Sequence, residues 1–208
     1  MRPLPANFLL GAVLVSLVVG VAALSLIWTP HDPQTMSIST KFAPPSAEHW
    51  LGTDQLGRDV VAQLMAAARN SMTVALVAVL LGGSIGVVLG LLASALGGWV
   101  EDAVMRLADL GFAFPALLFS IMLAAGFGPS LTNAVLAISF INIPIFARVT
   151  RASANQIWTR DYVAAARAAG RGRFAISRDH ILPNIAAAII VQATIEFAVA
   201  ILAEAALS

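Results

Sequence analysis

The twenty-one residues of Phe8–Trp28 pass without a charged side chain, and the twenty-five of Met72–Leu96 do the same. At about 1.5 Å per helical residue, a run of roughly 20 residues crosses the ~30 Å hydrocarbon core of a bilayer. Water is absent there, so each run must satisfy its own backbone groups, and a helix does so within one segment. Composition agrees: 59% of the chain is hydrophobic and 11% charged, where a soluble domain carries about 25% charged residues. The chain has no cysteine, which excludes disulfides, thiolate metal sites and cysteine nucleophiles. Its 208 residues leave room for five or six spans.

Arg2 precedes the first run, so a cleaved signal peptide competes with a retained helix. A signal peptide's apolar region is only about 7–15 residues and ends at a small-x-small cleavage site. The run here is longer and lacks that site, so a retained helix is expected over residues 1–28. A polar interlude with Pro30, Pro33, Pro44 and Pro45 fills residues 29–71. Four more spans are expected: Met72–Leu96, Leu107–Gly126 around Pro115, Thr132–Ala147 with Asn142 and Pro144, and one from Ile185 onward. The class is therefore an all-α polytopic helix bundle. The end at Ala205-Ala206-Leu207-Ser208 has no basic flank, which leads to the expectation of a truncated product.

Positive charge sets the orientation. With the N-terminus inside, the inner segments hold Arg2, Arg106 and seven arginines from Arg148 to Arg178, and the outer ones hold Lys41, Arg58 and Arg69. Nine against three fits the positive-inside bias, so residues 148–183 are expected in the cytoplasm and 29–71 outside.

Within the spans, Gly82, Gly86 and Gly90 recur every fourth residue, a face that lets a second helix approach closely. Gly82-Gly83-Ser84-Ile85-Gly86 also matches G-x-S-x-G formally, but that motif needs a strand-to-helix turn and a nearby histidine. His31, His49 and His180 all lie outside the spans, so an intramembrane serine hydrolase is disfavoured. Asn142, Gln192 and Glu196 are the polar candidates for a pathway, with Glu204 nearer the interface. A carboxylate near the midplane, as at Glu196, marks either a pathway or a protonated interhelical hydrogen bond. No G-x-x-x-x-G-K-[ST] loop is present, and the single lysine, Lys41, has no glycine near it. Nucleotide energy would have to come from a partner.

Two segments outside the spans carry structure. In "EHWLGTDQLGRDVVAQL" (48–64), Thr53 or Asp54 can cap a helix whose apolar face holds Val60, Val61, Leu64, Met65 and Ala68, predicting an interfacial helix. In "DYVAAARAAGRGRFAISRDHILPN" (161–184), a helix is expected from a cap at Thr159 to Ala169, with Tyr162, Ala165, Ala166 and Ala169 on one small face. Gly170 suits its C-terminus, Phe174–Ile181 can form a second short helix, and Pro183 opens the last span. The product is a rigid projection presenting Arg167, Arg171 and Arg173.

The second segment resembles the EAA loop of importer-type ABC permeases. Ala164-Ala165-Ala166, Gly170 and Ile181-Leu182-Pro183 occupy its motif positions, with Ala164 where the family usually has Glu. The contact made by that carboxylate is not implied here. "HWLGTDQLGRDV" resembles the dipeptide/oligopeptide/nickel branch, and the likeness covers nearly the whole chain. It implies a type I importer permease fold with residues 72–208 as the permease core, incomplete at the C-terminus, and five spans of an expected six. It further implies a second homologous permease, two ATPase subunits that bind ATP and Mg2+, an extracytoplasmic solute-binding protein, surrounding membrane lipid and no nucleic acid. The loop of Tyr162, Ala164, Ala165, Ala166, Arg167, Ala169, Gly170, Leu182 and Pro183 would couple to an ATPase. No cofactor or metal is expected on this chain, and peptide is the first substrate reading. Chelated nickel is the alternative, and a secondary transporter stands as the reading from another class.

Overall fold

A computed structural model describes residues 5–128 and 130–207, apart from the side chains of Ala116, Leu117 and Leu207. Among the described residues the secondary structure is helical except for one isolated antiparallel bridge between Thr53 and Asp59. The helices are α1 (Ala6–Leu24), α2 (Val60–Leu96), α3 (Gly98–Ala113), α4 (Ala116–Phe127), α5 (Leu131–Trp158), α6 (Asp161–Ala168), α7 (Arg173–Ile176) and α8 (Leu182–Leu207). A 3-10 turn, Ile38–Thr40, precedes α2, and a π-helical turn, Ser177–Ile181, joins α7 to α8. Four helical stretches are long and apolar enough to cross a membrane, and five if α3 and α4 count as one broken span. This is the all-α polytopic architecture that the uncharged runs predict.

The chain divides into two compact units, Met1–Thr73 and Val74–Ser208. In the first, α1 is apolar on every side and only Ala22 is buried, as expected of a helix facing lipid. The loop after it is held by polar side chains. Thr53 Oγ1 donates to the Thr40 carbonyl and accepts from the Ala43 amide at 2.9 Å. Asp54 accepts from the amides of Leu56 and Arg58 at 2.8 and 2.9 Å, and from Arg58 Nε at 2.8 Å. Gly57 sits at φ +73° with the Ser37 carbonyl where a Cβ would lie, so only glycine fits.

That turn relocates the helix start. Neither Thr53 nor Asp54 caps α2; Asp59 does, its Oδ1 accepting from the Ala62 amide at 2.8 Å. The left-handed residue at 57 ends any earlier helix, and the chain is free to coil only beyond it. The expected interfacial helix is likewise not separate, because α2 runs unbroken from Val60 to Leu96. No glycine or proline interrupts the sequence before Gly82, so the helix passes through 71 without a break. Its buried side in this stretch carries Ala62 and Met65, whereas Leu64 is exposed.

In the second unit α5 packs against α3, α4 and α8. One core joins Val74, Ala75, Ala78 and Val79 of α2 to Ile138 and Phe146 of α5 and Ala200 of α8. The expected span Leu107–Gly126 falls on two helices, α3 and α4, bent by 80° at the break that holds Pro115. Pro115 removes a backbone donor and pushes Phe114 into extended backbone (φ −90°, ψ 118°), which ends α3. Pro144 does not break α5; it is buried inside it, with Gly111 of α3 beside its ring. The helix also continues past Ala147 to Trp158, carrying Arg148 and Arg151 to Asp109 and Glu101 of α3.

Candidate functional site

The site starts from a close approach of two helices. Gly82, Gly86 and Gly90 lie on the face of α2 that meets α5. A Cβ at Gly86 would stand 2.5 Å from the Ile143 carbonyl oxygen and 2.6 Å from Phe146 Cβ, and one at Gly90 2.6 Å from the Ala147 carbonyl oxygen. A Cβ at Gly82 would stand 2.6 Å from Asn142 Cβ. Just over two turns of α2, from Gly82 to Gly90, thus lie against the backbone of α5. Ser84 lies inside the continuous helix α2 and not at the strand-to-helix turn that a G-x-S-x-G nucleophile needs.

The polar candidates of the spans face inward. Asn142 is buried and its Nδ2 has no hydrogen-bond partner among the described residues. Glu196 is 6% exposed and accepts from Gln192 Nε2 at 2.7 Å. Its helix turns Ile195, Val199 and Leu202 outward and buries Ala200. Glu204, expected nearer the interface, is buried too, one turn beyond Ala200 on the same stripe. Spacing of four places 196, 200 and 204 on one side of α8, which the sequence contains but composition alone does not rank.

The segment after α5 forms a short helix standing on a hydrophobic foot. Val163 of α6 is fully buried with Ala154, Ile176, Ile181 and Ile185. Ala166 packs partly against the same cluster. The expected outward face of four residues is therefore three: Tyr162, Ala165 and Ala169 are exposed, with Ala164 and Ala168 beside them. Thr159 does not cap α6; it ends α5, its Oγ1 donating to the Gln156 carbonyl at 2.9 Å, and Arg160 occupies the cap position without a side-chain bond. Two residues are enough to turn the chain, so the cap and the preceding helix end compete for Thr159. Gly170, at φ +77°, closes α6 as the sequence predicts.

The arginines of this segment are not all offered outward. Arg173 Nη1 donates to the carbonyls of Ala95 and Leu96 at 3.1 and 3.0 Å, capping the C-terminal end of α2. Arg171 pairs with Asp179 at 2.8 Å, and Arg167 lies over the Trp158 ring at 5.5 Å. Tyr162 meets His180 edge-on, with ring centroids 6.2 Å apart. Leu182 is half-buried and Pro183 exposed. Pro183 has no N–H for the Asp179 carbonyl, and the π-helical turn at Ser177–Ile181 absorbs that missing bond so that α7 and α8 run on as one 34-residue stretch.

Sequence reasoning passed over Val163, the inward contact of Arg173, which it had expected to be presented outward, and a third group. Val163 had a signal, as the only large aliphatic residue in α6. Arg173 had none, since its partners lie 77 and 78 residues away. The third group is His31, His49 and Asp59, whose ligand atoms gather within 4.8 Å of one another. Near it, burial pushes the Asp54 carboxyl up, but the Arg58 amide and guanidinium, the Leu56 amide and Gln63 outweigh it and hold it at about 2.

Residues 86–208 match the family described as binding-protein-dependent transport system inner membrane component. The probable D,D-dipeptide transport system permease protein DdpC of Escherichia coli (strain K12) is 37% identical over 92% of this chain and 66% of its own length. The dipeptide transport system permease protein DppC of Alkalihalophilus pseudofirmus is 38% identical over 96% of this chain and 66% of its own. The nickel transport system permease protein NikC of Escherichia coli (strain K12) is 34% identical over 90% and 68%. The chain thus spans 66% of the length of the first two relatives, just under two thirds.

Proposed function

Since the chain belongs to the family of binding-protein-dependent transport system inner membrane components, we propose that it is a permease subunit of an ATP-driven importer that carries peptides across the bacterial inner membrane. It would act beside a second homologous permease, two ATPase subunits and an extracytoplasmic solute-binding protein. ATP and Mg2+ would be bound by the ATPases, and this chain would perform no catalysis and hold no cofactor. The N-terminus and residues 148–183 would face the cytoplasm, which nine of the twelve basic residues support.

One observation carries the reading. Helix α6 is anchored by Val163 in the bundle core while Tyr162, Ala165 and Ala169 stay exposed. A small, rigid face joined directly to two long spans is suited to enter a cleft on another subunit. A push on α6 would pass through Val163 to Ile181 and Ile185, and so into α8. Closure of the ATPases would in this way tilt the spans between two states.

Peptide is favoured because DdpC and DppC are described as dipeptide permeases. Nickel is the second reading, motivated by the likeness to NikC. The test is co-expression with the ATPases, permease and binding protein encoded beside it, followed by ATP-dependent uptake of labelled dipeptide and of labelled nickel. Ala165→Trp should abolish uptake and ATPase association while membrane insertion persists. Unchanged uptake and association would refute the coupling role. A single cysteine at Gly172 should be protected from an impermeant thiol reagent in intact cells; labelling there would overturn the orientation.

A further inference from the structure

Between α1 and α2 three side chains with metal-binding atoms converge from separate places in the chain. His31 follows α1, His49 lies in the middle of the loop, and Asp59 caps α2. His49 Nδ1 is 2.9 Å from Asp59 Oδ2, and His31 Nδ1 is 3.4 Å from the same oxygen. The two imidazoles lie against each other with centroids 4.8 Å apart. We propose that His31, His49 and Asp59 form a binding site for a divalent transition-metal cation of the zinc type, which clamps the loop to the start of α2.

Hydrogen bonding alone leaves this cluster incomplete. His49 and Asp59 make a good pair, yet His31 Nδ1 is buried and, although near the carboxylate, has no hydrogen-bond partner. The carboxylate oxygen has lone pairs for both rings, yet only His49 Nδ1 meets it with hydrogen-bond geometry, and a cation among the three atoms would engage all of them. Ligands about 2.0–2.2 Å from a tetrahedral zinc are roughly 3.3 Å apart. The two nitrogen-to-oxygen distances, 2.9 and 3.4 Å, lie near that separation, and the three ligand atoms together fall within 4.8 Å of one another. Two imidazoles with one carboxylate suit zinc, nickel, copper or cobalt, whereas magnesium and calcium prefer sites made of oxygen alone.

The surroundings support the ligands. Asp59 is 3% exposed, and its second oxygen is fixed by the Ala62 amide at 2.8 Å, which orients the first toward the histidines. His31 remains partly exposed, giving a cation entry from solvent and leaving a fourth position open to water. The inference is independent of what the permease transports, and the site includes none of the candidate pathway residues Asn142, Gln192 and Glu196.

The chain, purified in detergent micelles with a tag free of histidine, would be titrated with Zn2+ alone in equilibrium dialysis, and with Co2+ for its visible absorption. One saturable ion per chain is expected, with half-saturation below about 100 µM. His31→Ala, His49→Ala and Asp59→Asn should each weaken it at least roughly tenfold and remove the Co2+ bands. Asparagine caps a helix as well as aspartate does, so Asp59→Asn keeps α2 intact and separates lost coordination from misfolding. His180→Ala is the control and should bind normally. No saturable binding below that concentration, or binding that survives all three substitutions, would overturn the site.

Discussion

Gly86→Ala puts the packing of α2 on α5 to a quantitative test. The new Cβ would meet the Ile143 carbonyl oxygen at 2.5 Å and Phe146 Cβ at 2.6 Å, whereas ordinary contacts begin at 3.4 Å. Both neighbours belong to the backbone or its first carbon, so neither can rotate aside. The helices must part by about 0.9 Å at this contact. Overpacking of this kind costs about 1–3 kcal/mol. Alanine's better helix propensity returns roughly 0.8–1.0 kcal/mol. The expected net loss is about 0–2 kcal/mol, up to a factor of roughly 30 in the folded-to-unfolded ratio. Gly11→Ala is the matched control, since nothing lies within 4 Å of its Cβ position, and it should be neutral or slightly stabilising. Reversible unfolding in mixed micelles by added SDS, followed by tryptophan fluorescence, measures both. A Gly86→Ala protein as stable as the Gly11→Ala control would refute the close approach.

Three further outcomes follow from the same geometry. Val163→Ala removes two buried methyl groups from the foot of α6 and should cost about 2 kcal/mol, read as faster proteolysis at the arginines of residues 160–171 with the spans intact. Glu196→Gln should preserve the bond to Gln192 and leave stability unchanged, while Glu196→Leu strands Gln192 Nε2 and should cost about 1–2 kcal/mol by the same SDS titration; equal stability of the two variants would refute the bond. Asp54 has a folded value of about 2 against an ordinary 3.8, so its contribution is present above pH 3.8 and lost as pH falls through about 2. Trp50 fluorescence should therefore report loosening of the loop in that acid window, and Asp54→Asn should remove the transition; an unaltered acid transition in that variant would assign it elsewhere.

The sequence by itself determined that this chain is a helical membrane protein, because a charge-free run of 21 or 25 residues has few ways to satisfy its backbone. It also located Gly170 and the glycine face of α2, since local sterics at glycine need no distant partner. What it could not settle were matters of competition between neighbours. Pro115 and Pro144 are the same residue type in similar apolar runs, yet one follows the end of a helix and the other is buried within one, with Gly111 of a neighbouring helix beside its ring. Thr159 and Asp59 could each have capped or ended a helix, and the turn at Gly57 and the length of α5 decided which. Arg173 on the end of α2, and the meeting of His31, His49 and Asp59, join residues far apart in the chain. Such contacts arise only when helices pack, since no periodicity within one segment encodes the distance to another.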